Sequence, residues 1–237
     1  MKLLGVEDLN AGYGKLQILY GITFSLENKE ILAIVGPNGS GKSTLLKSIF
    51  GLTTVYSGKV IFKGEEITNK PPHEKARIGL AYLPQIGNTF EKLTVIENLK
   101  MACYTLEEHE VKERIEEVLA IFPHIKPYLK RRVWSLSGGE RQMVAMAMAL
   151  TRRPEIIMMD EPSAALAPKI ASQIFEKIVE IRDSLGKGVV LVEQNAKKAL
   201  EVCDKALLLV AGQQAFLGSP EELLADPELA QTYLGVK

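Results

Sequence analysis

The sequence has too few cysteines and histidines to build a disulfide framework or a metal cluster. Two cysteines occur among its 237 residues, together with three histidines, which are scattered through polar segments. The cysteines, Cys103 and Cys203, lie far apart in the chain and fit no metal-ligand spacing. We therefore expect both to be reduced thiols packed inside a cytosolic protein, where disulfides rarely persist.

The sequence also lacks net charge and long apolar runs. Lys and Arg together number 29 and balance 29 Asp and Glu, whereas nucleic-acid-binding domains usually carry a basic excess. The longest apolar runs, such as residues 143–150, fall well short of the roughly 20 residues that a membrane-spanning helix needs. The first ten residues reach Glu7 and Asp8 before the apolar segment of a signal peptide could form. We expect a cytoplasmic chain that binds no nucleic acid and does not itself cross the membrane.

What the sequence does contain is an alternation of strand-like and helix-like patterns. Residues 1–30 alternate short apolar stretches with turn residues, which predicts antiparallel strands and hairpins. Beyond residue 152, strands and helices alternate, which predicts a mostly parallel sheet covered by helices. The sequence therefore predicts one α/β domain over residues 1–237, with a catalytic core formed by 1–85 and 152–237 and a helical insertion at 86–151.

A glycine-rich loop follows an apolar strand at residues 30–35. Its sequence, Gly36-Pro-Asn-Gly-Ser-Gly-Lys-Ser-Thr44, matches the G-x-x-x-x-G-K-[ST] pattern of phosphate-binding loops. Its glycines allow backbone N–H groups to turn towards phosphate oxygens at a helix N-terminus. Lys42 can reach the β- and γ-phosphates, and the hydroxyl of Ser43 can bind Mg²⁺. We predict that ATP is bound by Gly36, Pro37, Asn38, Gly39, Ser40, Gly41, Lys42, Ser43 and Thr44.

Two adjacent carboxylates, Asp160 and Glu161, follow a second apolar stretch at residues 156–159. A buried strand that ends in acids places them at the edge where open α/β sheets bind ligands. Asp160 is suited to hold Mg²⁺, directly or through water, and Glu161 is suited to orient and deprotonate the attacking water. Together with the phosphate loop, this pair predicts a P-loop NTPase that hydrolyses its nucleotide.

The stretch Leu136-Ser-Gly-Gly-Glu140 narrows this class. Ser137 can cap a helix that starts near Glu140, which leaves N–H groups and a hydroxyl directed at an anion. The stretch also resembles the signature sequence of ABC ATPases, and it precedes Asp160 by that family's spacing. The resemblance covers essentially the whole chain. It implies that the γ-phosphate of ATP on the opposite subunit is contacted by Ser137, Gly138, Gly139 and Glu140.

The same resemblance implies roles for residues outside these motifs. Tyr13 lies where ABC ATPases have the aromatic residue that stacks on adenine, and Gln85 matches the glutamine that contacts Mg²⁺ and water. Gln194 occupies the position of the usual switch histidine, and Ala167 that of an aspartate. Both departures resemble the LivF-type ATP-binding subunits of branched-chain amino acid importers. The implied catalytic residues are Lys42, Gln85, Glu161 and Gln194, and the implied Mg²⁺ ligands are Ser43, Gln85 and Asp160.

The LivF-type resemblance also implies an assembly on the inner face of the cell membrane. Its members are a second, LivG-type ABC ATPase in a heterodimer with this chain, two membrane permeases and, indirectly, a solute-binding protein. Other solutes, such as urea, short amides or an exported substrate, stay open as alternatives. A non-transport ABC ATPase usually carries coiled-coil insertions, zinc-binding cysteines or a second cassette, and a GTPase commonly has Asn-Lys-x-Asp. This sequence contains none of these features.

Overall fold

The computed structural model describes residues 2–229, in which ten strands form one sheet and helices cover it. The strands are β1 (Lys2–Tyr13), β2 (Leu16–Glu27), β3 (Ile31–Val35), β4 (Thr54–Phe62), β5 (Glu65–Glu66), β6 (Leu80–Leu83), β7 (Ile156–Asp160), β8 (Gly188–Val192), β9 (Lys205–Val210) and β10 (Gln213–Gly218). The α-helices include α1 (Lys42–Phe50), α2 (Pro72–Arg77), α3 (Val95–Ala102), α4 (Glu108–Ile121), α5 (Gly138–Leu150), α6 (Pro168–Asp183), α7 (Ala196–Val202) and α8 (Pro220–Ala225). None of the helices in this part of the chain is long and apolar enough to cross a membrane.

Five neighbouring strands, in the order β9-β3-β8-β7-β6, run parallel and form the core of the sheet. Ile31 lies opposite Val189, and Ile156 lies opposite Gly188. Every residue of β3, β7 and β8 is buried, as expected for parallel strands with helices on both faces. The predicted α/β fold class with a mostly parallel core sheet is confirmed.

The carboxyl ends of these parallel strands lie along one edge of the sheet. The phosphate loop follows β3 there, Gln85 follows β6, Asp160 ends β7, and Gln194 follows β8. Side chains that are distant in the sequence therefore meet at this edge, where open α/β sheets bind their ligands.

The antiparallel N-terminal part consists of longer strands than the sequence pattern suggests. The pattern predicts several short strands before residue 30, whereas β1 and β2 have 12 residues each. Their ladder continues through bulges, one of which lies between Val6 and Leu9, where Asp8 has a φ of 47°. A bulge breaks the alternation of buried and exposed side chains, so one bent strand has the sequence pattern of two short ones.

The segment between β6 and β7 contains α3, α4 and α5. On α4, Ile115, Val118 and Leu119 are buried, whereas Val111 is only partly buried. Asn98 of α3 is fully buried, and its side-chain oxygen accepts a hydrogen bond from the N–H of Phe90 at 2.7 Å. This bond holds the chain that follows Gln85 against the helices.

Helix α6 begins without a side-chain cap. Ala167 occupies its N-cap position with φ −59° and ψ 146°, and among residues 2–229 no side chain caps the first turn with a hydrogen bond. Aspartate at this position would accept such a bond and would place a negative charge at the positive end of the helix dipole. We expect Ala167→Asp to stabilise the chain by about 1 kcal/mol, which raises Tm by about 2–4 °C in a domain of this size.

Thermal unfolding of three variants at this position tests the expected stabilisation. Ala167→Asn supplies a cap without the charge and should retain most of the gain, whereas Ala167→Lys supplies neither an acceptor nor a favourable charge. An Asp variant that melts at the same temperature as the Lys variant would contradict the proposed cap.

Candidate functional site

The phosphate loop connects β3 to α1, and two of its glycines are required by the backbone. Gly36 has a φ of 143°, and a Cβ atom there would collide with the carbonyl oxygen of Leu209. Gly41 has a φ of 102° and is the N-cap of α1. Both values lie in a region that favours glycine. The loop thus brings its backbone close to the end of β9 and turns sharply into the helix.

Lys42 is the first residue of α1, and its side chain folds back over this loop. It is 5% exposed, and its Nζ donates hydrogen bonds to the carbonyl oxygens of Gly36 and Pro37, both at 2.9 Å. Burial lowers the pKa of Lys42, while the charges of Glu161 and Asp160 oppose this shift. An anionic phosphate placed in the loop would be a stronger partner for this ammonium group than two neutral carbonyls.

Other residues of the loop have polar groups that a nucleotide can use. The hydroxyl of Ser40 is buried and has no hydrogen-bond partner within residues 2–229. Thr44, which also carries a hydroxyl, is buried on α1. Gly39 has a φ of 78°, and the space where its Cβ would lie is open. A buried hydroxyl without a partner costs free energy, so the loop fits a ligand that supplies acceptors.

Asp160, at the end of β7, lies between two hydroxyl groups. It is 4% exposed, and its carboxylate accepts hydrogen bonds from Ser43 Oγ at 2.8 Å and from the hydroxyl of Tyr82 at 3.2 Å. Burial and the nearby Asp160 raise the pKa of Tyr82 above its usual range. The described residues contain no cluster of three His, Cys, Asp or Glu side chains suited to a metal. Ser43 and Asp160 can nevertheless supply two of the oxygen ligands that Mg²⁺ prefers.

Glu161 is held in an unusual backbone conformation next to Asp160. Its φ is 49°, a left-handed value that is uncommon outside glycine and typical of functional sites. Its N–H donates to the carbonyl oxygen of Val192 at 2.9 Å, and its Oε2 accepts a hydrogen bond from Gln85 Nε2 at 2.9 Å. The structure therefore places the predicted base and the predicted glutamine in direct contact.

Gln194 contacts the phosphate loop, and Tyr13 lies on β1, the partner of β2. Gln194 Nε2 donates to Asn38 Oδ1 at 3.0 Å. Tyr13 ends β1 and is 44% exposed. The adjoining strand β2 lies beside the loop, because a Cβ atom on Gly41 would meet Ile18 and Leu19. Tyr13 pairs with Leu16 at the start of β2, and its exposure leaves it accessible to a base, as stacking requires.

The signature residues form the start of α5. Ser137 is the N-cap and forms a capping box with Glu140, whose oxygen accepts a hydrogen bond from the N–H of Ser137 at 2.7 Å. The helix starts at Gly138, two residues earlier than predicted, because this box draws both glycines into the first turn. A Cβ atom on Gly139 would collide with Ile170 of α6. No hydrogen bond within residues 2–229 joins this motif to the phosphate loop of the same chain.

Sequence reasoning missed two residues that contact this site, Tyr82 and Glu193. Tyr82 lies on β6 beside β7, and Glu193 is 1% exposed and accepts a hydrogen bond from the N–H of Ser163 at 3.0 Å. An acid directly after an apolar strand, as in Val189–Glu193, is the same signal that identified Asp160. For Tyr82 no local signal exists, because its contact depends on which strand lies beside β7.

Comparison with known proteins identifies the family. Residues 19–164 match the family described as ABC transporter. The chain is 51% identical over 234 residues to the "Probable branched-chain amino acid transport ATP-binding protein LivF" of Archaeoglobus fulgidus, covering 99% of each chain. It is 36% identical to the branched-chain amino acid transport ATP-binding protein BraG of Pseudomonas aeruginosa, covering 98% of this chain and 100% of that protein. A crystal structure of the ADP conformation of an ABC transporter ATP-binding cassette superposes with a TM-score of 0.89 at 29% identity, covering 98% of each chain. This chain therefore belongs to the ABC transporter family, as an ATP-binding subunit that hydrolyses ATP.

Proposed function

We propose that this ATPase powers an importer of branched-chain or other hydrophobic amino acids. The observation that carries the proposal is the high identity, over nearly the whole chain, to the Archaeoglobus relative whose name states that substrate class. The relative from Pseudomonas is named for the same class. Urea, short amides and exported substrates are the alternatives against which the proposal is tested.

The geometry at the carboxyl edge of the sheet supports a role for each site residue. Lys42 and the backbone of residues 36–44 bind the phosphates, and Tyr13 stacks on adenine. Glu161 accepts a proton from the attacking water, which Gln85 helps to orient. Gln194 donates a hydrogen bond to the γ-phosphate, but unlike histidine it does not ionise near neutral pH.

Ser43, Asp160 and Gln85 are proposed to hold Mg²⁺ together with phosphate oxygens. The support is the 2.8 Å contact between Ser43 Oγ and the Asp160 carboxylate, which brings two oxygen donors to one point. When bound, the ion neutralises charge on the β- and γ-phosphates. Tyr82 keeps the Asp160 carboxylate in a fixed orientation by donating to its second oxygen.

The signature motif requires a partner subunit. No hydrogen bond within residues 2–229 joins Ser137, Gly138, Gly139 and Glu140 to the phosphate loop of their own chain, so we propose that they act on ATP bound to an opposing ATPase in a head-to-tail pair. A LivG-type second ATPase is favoured over a second copy of this chain. Two copies would carry Gln194 and Ala167 at both sites and would have neither the switch imidazole nor the loop carboxylate.

The remaining partners follow from the transport role. Residues 86–151 form a helical subdomain inserted into the core of 1–85 and 152–237, and the segment after Gln85 is its proposed contact with two membrane permeases. The chain is then peripheral on the inner face of the membrane, and a solute-binding protein delivers the amino acid. No nucleic acid takes part.

Phosphate release by the lone chain and by the full complex tests this assignment. We expect the lone chain to bind ATP but to turn over well below about 10 s⁻¹, the rate of a median enzyme. The second ATPase, the permeases and a leucine-loaded binding protein should together raise turnover. The matched control is the same complex with its binding protein loaded with urea or a short amide.

Two outcomes would contradict the proposal, and they separate its parts. Stimulation by urea or amide but not by leucine would assign a different solute. If the lone chain dimerises on ATP and turns over as fast as the complex, the proposed unequal pair is wrong.

A further inference from the structure

Glu193 is a buried acid to which the proposed roles assign no function. It follows β8 directly and is 1% exposed. Burial raises its pKa above the usual range, and the nearby charge of Glu161 adds to this rise. Burying a carboxyl group costs free energy unless hydrogen bonds compensate. The hydrogen bonds of Glu193 therefore indicate which segments its side chain positions.

The carboxyl group of Glu193 joins two loops at the carboxyl edge of the sheet. We call residues 161–167 the base loop and residues 193–195 the switch loop. Glu193 Oε1 accepts a hydrogen bond from the N–H of Ser163 at 3.0 Å. Glu193 is itself part of the switch loop, so its buried side chain connects that loop to the base loop.

The residues on either side of Glu193 contact the same site. The carbonyl oxygen of Val192 accepts the N–H of Glu161 at 2.9 Å, and Gln194 Nε2 reaches Asn38 of the phosphate loop at 3.0 Å. Of these contacts, the bond to Ser163 lies farthest along the base loop, towards Ala167. It is therefore the contact best placed to transmit a movement of the switch loop to that end.

We propose that Glu193 is a positioning residue that couples the switch loop to the base loop. A change at the γ-phosphate that moves Gln194 then shifts the segment from Ser163 to Ala167 as well. This coupling rests on the proposed role of Gln194 beside the nucleotide and on the proposed approach of Ala167 to the opposing subunit. It needs no particular transported solute.

Amide hydrogen exchange in the lone chain, with and without ATP, measures the coupling directly. We expect ATP to slow exchange across residues 163–167 of the wild-type chain. In Glu193→Ala this ATP-dependent change should fall about tenfold, the effect of losing a hydrogen bond to a charged group, while the Kd for ATP stays within twofold. Glu193→Gln should restore the response, because its amide oxygen still accepts the Ser163 N–H.

Glu201→Gln serves as the matched control, because it removes the charge of an exposed acid that pairs with Lys198 on α7, outside both loops. It should behave like the wild-type chain. In the assembled complex, kcat should fall about tenfold in Glu193→Ala, and KM should change little. A purely structural role would instead lower ATP affinity and thermal stability together and would not be rescued by glutamine.

Several outcomes would overturn the coupling. These are an ATP response of normal size in Glu193→Ala, no ATP response in the wild-type chain, and a loss of ATP affinity that matches the loss of turnover. Failure of leucine to stimulate the complex, with the exchange results as expected, would overturn only the solute assignment. The two proposals can therefore fail separately.

Discussion

Replacing Glu161 by glutamine should lower ATP turnover in the assembled complex by about 10²–10⁴-fold, the usual cost of losing a positioned general base. Glutamine has the same size and can keep a hydrogen bond to Gln85, but its amide cannot take a proton from water. The backbone bond from Glu161 N–H to Val192 does not depend on the side chain. ATP affinity measured by calorimetry should therefore stay close to the wild-type value.

Glu155→Gln is the matched control for this substitution. Glu155 directly precedes β7, the strand that ends at Asp160, so it lies at the opposite end of that strand, where it pairs with Lys63. An exposed ion pair of this kind contributes little to stability, and turnover should not change. If the Glu161 variant hydrolyses ATP within a few-fold of the wild-type rate, another group must act as the base.

Replacing Lys42 by alanine should weaken ATP binding about 10–100-fold, the range expected when a hydrogen bond from a charged group to phosphate is lost. The ammonium group already lies over the loop, bound to the carbonyls of Gly36 and Pro37. The ammonium group is therefore already positioned to contact a phosphate bound in the loop. Isothermal calorimetry on the lone chain measures this effect without any partner.

Two further variants calibrate the Lys42 result. Lys47→Ala removes a cation from the last turn of the same helix, about 7.5 Å farther along its axis, and should leave the Kd unchanged. Tyr13→Ala should weaken binding more modestly, by the ~1–3 kcal/mol of one base–aromatic stack. Unchanged affinity in both the Lys42 and Tyr13 variants would place the nucleotide elsewhere.

Several features could be predicted because they depend on local sequence. The glycines of residues 36–41 set a backbone path that other residues rarely adopt, so their spacing alone indicates a phosphate loop. An apolar stretch ending in Asp160 and Glu161 indicates a buried strand with acids at its end. Ser137 and Glu140 are three residues apart, as a capping box requires. In each case the residues that make the structure are neighbours in the chain.

The bounds of the N-terminal strands could not be predicted from short sequence patterns. β1 bends at a bulge near Asp8, and no short window of sequence distinguishes a bulge from a turn. The pairing that keeps the bent strand in one ladder comes from β2 on one side and β4 on the other. Both β2 and β4 lie outside the short stretch of sequence in which the periodicity of β1 is measured.

The family, the phosphate loop, the acidic strand end and the helix-capping signature are predictable from the sequence, because each is encoded by residues close together in the chain. The partners of these residues depend on the tertiary fold. Tyr82 meets Asp160 because β6 lies beside β7, and Glu193 meets Ser163 because β8 lies on the other side of β7. The order of strands in a sheet results from packing between segments tens of residues apart, and this packing leaves no pattern in any one segment.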